Sequence, residues 1–109
     1  DKGKELIRMP KIVSAAIKFK PKGFDYFQIM CGKRHCDVLE IMHLLKINYE
    51  RSTAVQGFLT DEEQFVDRYD AARMAFFSGQ LPKDTELWQK LAKDDRLQNA
   101  YALYSEDLW

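Results

Sequence analysis

The chain has no long apolar run. None of its stretches approaches the ~20 residues that a bilayer-spanning helix needs, so a membrane-embedded role is excluded from the expectations. It has only two cysteines, Cys31 and Cys36, and two histidines, His35 and His43. Structural zinc takes four N or S donors, and Cys-x4-Cys with His35 between the thiols supplies no second ligand pair. Neither metal nor cofactor is expected, and the thiols are expected to be free. The first eight residues, DKGKELIR, are polar and hold no export signal. The expected location is therefore cytoplasmic. Ser-His-Asp, Gly-x-Ser-x-Gly and His-Glu-x-x-His arrangements are all missing, as is the spacing of a P-loop. Net charge is lacking too, with 17 Lys/Arg against 17 Asp/Glu. General DNA binding, which calls for a strongly basic face, is disfavoured.

What is present fits one domain over residues 1–109. The first residue is Asp1, which points to processing, trimming or fusion. Met9 is a candidate start that would make residues 1–8 an appendage. Charge is uneven along the chain. Residues 1–36 hold nine Lys/Arg and three Asp/Glu, and residues 37–109 hold eight and fourteen, so the two parts carry +6 and −6. A basic surface in the N-terminal part would attract an anion or the acidic part of a second copy.

Hydrophobic periodicity gives an element order. Residues 12–19 and 26–31 read as strands joined by a Pro21/Gly23 turn, hence an antiparallel hairpin. Alternation places Phe27, Ile29 and Cys31 on one face. The period changes after Gly32, and Val38, Leu39, Ile41, Met42 and Leu45 predict a helix over 36–46. Residues 48–53 read as a polar loop, 54–60 as a strand with Gly57 at a bulge or close approach, and 64–66 as a short return strand. Asp67 caps a helix over 68–78, whose Ala71, Ala72 and Ala75 allow close packing, and Gly79 ends it. Further helices are expected from Asp84 or Thr85 and over 96–103, interrupted or flanked by Asp94-Asp95. Leu108-Trp109 should dock on the body or on a partner. The fold class is α+β, a small antiparallel sheet covered by helices.

Two segments carry candidate chemistry. At Gly32-Lys33-Arg34-His35, a strand hands over to a helix whose first amides lack partners. Glycine permits close backbone approach, and three basic side chains follow, a set suited to phosphate or carboxylate. The alternative is a solvated basic loop. In the second segment, Gln56 could read a base or ribose edge, Phe58 and Phe65 could stack on a base, and Arg68 could bind phosphate. The alternative makes Phe58 and Phe65 a cross-strand core pair and ties Arg68 to a nearby acid. Gln80 and Ser105 are candidate rim groups, or ordinary loop chemistry. His35 is the candidate proton carrier, with no second titrating group fixed beside it. His43, inside the predicted helix, is expected to serve the surface or the core.

Taken in order, Ala15-Ala16-Ile17-Lys18, Gly32-Lys33-Arg34-His35, Gln56-Gly57-Phe58-Leu59-Thr60, Phe65-Val66-Asp67-Arg68, Ala71-Ala72, Gly79-Gln80 and Tyr104-Ser105-Glu106-Asp107-Leu108 resemble the phage anti-Thoeris sponges. Residues 43–54 match no motif of that family. The resemblance implies a protein that binds a cyclic ADP-ribose isomer made by a bacterial TIR enzyme and sequesters it without cleavage. Some larger assemblies of the family also hold cyclic oligonucleotides. It further implies a homo-oligomer, a dimer or ring of dimers, with C-terminal helices in the contacts and pockets between protomers. Lys18 and Tyr104 then join the ligand-binding candidates, Tyr104 as an aromatic platform. Two other functions stay open: a nucleotide- or phosphoester-processing enzyme using His35, and a protein inhibitor of a host enzyme.

Overall fold

A computed structural model describes residues 10–93 and 101–109. The expectations for residues 1–8, Met9, Asp94-Asp95 and 96–100 lie outside the described residues. The protein is α+β, with a four-stranded antiparallel sheet in the order β2-β1-β3-β4. Its strands are β1 (Ile12–Pro21), β2 (Gln28–Gly32), β3 (Tyr49–Thr60) and β4 (Phe65–Asp67). Helix α1 (His35–Leu44) follows β2, α2 (Arg68–Phe77) follows β4, and α3 (Glu86–Lys93) comes after the Pro82 break. A 3-10 turn, Ser105–Asp107, lies in the C-terminal segment.

Strand β1 is rich in β-branched and apolar residues and takes the centre, paired on both sides. Its Ile17 faces Met30 on one side and Gln56 on the other, whereas Lys18 faces Ile29 and Val55. Since side chains alternate, Ala15, Ile17 and Phe19 point to the helical face and Ala16 and Lys18 to the other.

The helical face holds two apolar clusters. Val38 and Met42 of α1 close on Ile17 and Phe19, with Met30, Ile47, Tyr49 and Ala54 at the margin. The second cluster joins Ile12, Ala15 and Phe58 of the sheet to Ala71, Ala72 and Ala75 of α2, and to Leu87, Leu91 and Leu103. Alanines let α2 lie close to the strands, and all three are wholly buried. Trp109 packs on this second cluster, as the expectation of a docked terminus required. The opposite face of the sheet leaves Phe27, Ile29 and Val55 exposed.

Several boundaries differ from expectation. Residues 49–53 are strand, not loop: Tyr49 pairs with Pro21 and Glu50 with Lys20. Thr53 Oγ1 accepts the Lys20 N–H at 3.0 Å where the register shifts. Those residues are polar because this end of β3 is largely solvated, which hid the strand pattern. Residues 101–103 are not helical. Phe58 and Phe65 are not a cross-strand pair, because Phe58 faces Val66 and Leu59 faces Phe65, which puts the two rings on opposite faces. Gly79, at φ +80°, ends α2 as expected.

Candidate functional site

Two junctions lead from an outer strand into a helix. At the first, β2 ends on Gly32, and a Cβ there would lie 3.2 Å from Val38 Cγ2, so glycine lets α1 turn in tightly. Arg34 occupies the N-cap position in extended conformation and gives the helix no side-chain cap. Lys33 is exposed. The Arg34 Nη2 group donates to the main-chain oxygen of Trp109 at 2.5 Å, which ties the C-terminal segment to this junction.

His35 turns inward and is 6% exposed. Its Nε2 lies 2.7 Å from the Gly57 carbonyl oxygen, and its ring meets Phe58 edge-on at 5.0 Å. A carbonyl only accepts, so Nε2 carries the proton and donates. Burial holds the His35 pKa below the usual histidine value. The bond to Gly57 opposes that shift, nearby Arg68 adds to it, and Glu106 and the Ala16 carbonyl oppose it more weakly. The net shift favours the neutral ring.

Gly57 sits where this contact and β4 converge. A Cβ there would fall 2.2 Å from the Val66 carbonyl oxygen and 2.6 Å from Phe65 Cζ. The close approach read from the sequence is therefore real. The Phe65 ring lies on the open face with Lys18, whose Nζ is 5.9 Å from that ring and 5.0 Å from Phe27.

At the second junction, the Asp67 carboxylate accepts the N–H groups of Tyr69 and Asp70 at 3.0 and 2.8 Å. This is the helix cap that the sequence predicts. Arg68 follows on the helical side. Its Nη2 donates to Gln56 Oε1, and its guanidinium carbon lies 4.6 Å from the Tyr104 ring centre. Its carbonyl accepts Leu103 N–H at 2.9 Å, so main chain and side chain together hold the C-terminal segment. Arg68 Nε is buried without a hydrogen-bond partner.

Tyr104 is 50% exposed. It also borders a 380 Å³ crevice with Tyr69 of α2, Glu86 and Lys90 of α3, and Tyr101 and Asp107 of the C-terminal segment. Tyr69, Tyr101 and Lys90 were not anticipated. The sequence signal for them is slight: a tyrosine beside Arg68 and two more spaced three apart near the end.

The structure thus gathers Arg34, His35, Gln56, Phe58, Arg68, Tyr104 and Ser105 on the helical side. Of these, Phe58 is wholly buried and Ser105 is 2% exposed. Lys18 and Phe65 stand across the sheet. Gln80 is elsewhere again: its side chain accepts the Ile12 N–H at 2.6 Å and donates to the Ile12 carbonyl at 2.7 Å, as a strand partner would. Both cysteines are exposed free thiols. Among the described residues, no three His, Cys, Asp or Glu side chains gather as a metal site, and no helix is long and apolar enough to cross a membrane.

No curated protein and no solved structure matches the chain. A family model does, over residues 11–109, and it describes the phage T4 y16D protein. That match takes in both junctions, the tyrosine-lined crevice and the C-terminal segment: the chain belongs to the phage T4 y16D protein family.

Proposed function

We propose that this phage protein is an anti-defence sponge: it binds a small anionic nucleotide-type signal, such as a cyclic ADP-ribose isomer, and holds it without cleaving it. One observation carries the reading. A guanidinium, steadied by an amide, is laid over a half-exposed tyrosine that itself lines an open crevice. Arginine supplies paired donors to a phosphate, and an aromatic face takes a base. Exposed Lys33 adds positive charge from the first junction. Arg68 would meet the ligand through its terminal nitrogens, since Nε is buried. Assembly of copies through the C-terminal elements belongs to the same reading.

His35 favours capture over turnover. An acid–base catalyst must reach its substrate, and this ring is buried, favoured in its neutral form and bonded to a main-chain carbonyl. Calorimetry with the TIR-made cyclic ADP-ribose isomer, followed by heat release, tests the proposal. The expected result is saturable binding and recovery of intact ligand. A hydrolysed product would turn the protein into an enzyme, and no heat of binding would end the proposal.

A second reading, an inhibitor that docks on a host enzyme, is favoured by the exposed Ile41, Leu44 and Leu45, which lie on one side of α1 and its end. A stoichiometric host protein recovered from infected cells, and lost with Leu44→Asp, would support it.

A further inference from the structure

We infer that the tyrosine crevice is a pocket for an amino-bearing planar ring, a nucleobase of the adenine type, recognised by its faces and its exocyclic amine rather than by any phosphate. This deepens the sponge reading and in part rests on it, but its chemistry is separate from the arginine contact.

The crevice has the volume of a small-molecule site, 380 Å³. Three tyrosines line it, Tyr69 from the start of α2 and Tyr101 and Tyr104 from the C-terminal segment. Tyr69 is 44% exposed and Tyr104 50%, so both keep area to offer. Tyr104 is also held by its neighbours. Arg68 lies over its ring at 4.6 Å without lining the crevice, and the Tyr104 N–H is tied to Asp107 Oδ2 at 2.9 Å. A ring fixed in this way loses little freedom when another plane stacks on it.

Charge decides which plane. The crevice is lined by Glu86, Asp107 and Lys90. Lys90 is already engaged by Glu86 at 3.1 Å, one turn back on the same helix. Among the described residues the charged lining sums to −1, which disfavours a polyanion here. A carboxylate accepts hydrogen bonds, and phenol hydroxyls both donate and accept. An exocyclic amine and ring nitrogens match that set. Phosphates of the same ligand would be left outside, toward Arg68.

The test uses adenosine, which carries the ring without phosphate, and inorganic pyrophosphate, which carries charge without the ring. Calorimetry on the full chain should show adenosine binding that changes less than about twofold between low and high salt. Tyr69→Leu and Tyr104→Leu should each weaken it about five- to hundredfold, the range expected for one lost stacking partner. Tyr69→Phe, which retains the ring, should bind adenosine nearly as the parent does, and so separates stacking loss from misfolding. Pyrophosphate binding should ignore Tyr69→Leu.

Adenosine binding untouched by the tyrosine variants would overturn the inference, as would binding of tetramethylammonium in place of adenosine. If the cyclic ADP-ribose isomer binds and adenosine does not, even at millimolar concentration, the inference falls while the sponge reading stands. If adenosine binds at the tyrosines and the cyclic isomer does not bind, the sponge reading falls and the pocket stands.

Discussion

The two strand-to-helix junctions are built from similar parts and do opposite things. Each has a short outer strand, an extended N-cap residue and a basic side chain beside the helix start. At the first, Arg34 and His35 are spent on the protein's own main chain, at Trp109 and Gly57. The helix is left without a side-chain cap. At the second, Asp67 caps the helix, and Arg68 lies over Tyr104, which lines an open crevice. A glycine and three basic residues in a row make the first junction look like the anion site. The structure engages Arg34 and His35 with the protein's own main chain there, and the proposed ligand contact lies at the second. Where a basic side chain goes depends on what already satisfies the backbone beside it.

Gly57 touches both junctions, and its substitution should have the largest effect. Gly57→Ala drives a methyl group toward the Val66 carbonyl. It should cost about 3 kcal/mol in denaturant titrations and weaken ligand binding as β4 shifts.

Next comes His35→Phe. The variant retains a ring against Phe58 but removes the buried bond to the Gly57 carbonyl, at a cost of about 1 kcal/mol or more. It should also remove a pH dependence. Because the folded pKa of His35 is depressed, the unfolded chain binds the proton more readily. The His35 contribution is therefore fully present above the unfolded value of ~6.5 and is lost as pH falls from there toward the folded value. Melting of parent and variant at pH 7.5 and at successively lower pH, each run checked for reversibility, should show a smaller gap at acid pH. A gap that widens on acidification would mean that the ring is charged in the fold.

Asp67→Ala should cost about 1 kcal/mol, as loss of an N-cap does, and should loosen Arg68 along with the helix start. Arg34→Ala should have the smallest effect, about 0.5 kcal/mol, from a half-buried hydrogen bond. Arg34→Ser should recover that loss by giving α1 the cap it lacks. If Arg34→Ser is the worse of the two, the Trp109 contact matters more than the helix end.

Much of this architecture is legible in the sequence. The change of period at Gly32 marks α1, Asp67 and Gly79 bracket α2, and Gly57 announces a close approach. The features that were not legible depend on partners far along the chain. Arg34 meets Trp109 across 75 positions, and His35 meets Gly57 across 22. Nothing local tells a buried histidine from a solvated one at a helix start. The opposite faces of Phe58 and Phe65 turn on a single step of β3–β4 register, which a four-residue turn does not reveal. The crevice escapes for the same reason, since its three tyrosines come together only when the C-terminal segment lies across Arg68 and Tyr69.

The decisive measurement is the affinity of the cyclic ADP-ribose isomer for Arg68→Ala beside His35→Phe, both confirmed folded at the temperature used. A ligand held at the second junction requires a loss of about tenfold or more in Arg68→Ala, the size of one charge-assisted hydrogen bond, and a change under about twofold in His35→Phe. The reverse pattern, with His35 essential and Arg68 dispensable, would return the site to the first junction and contradict the division of roles between them.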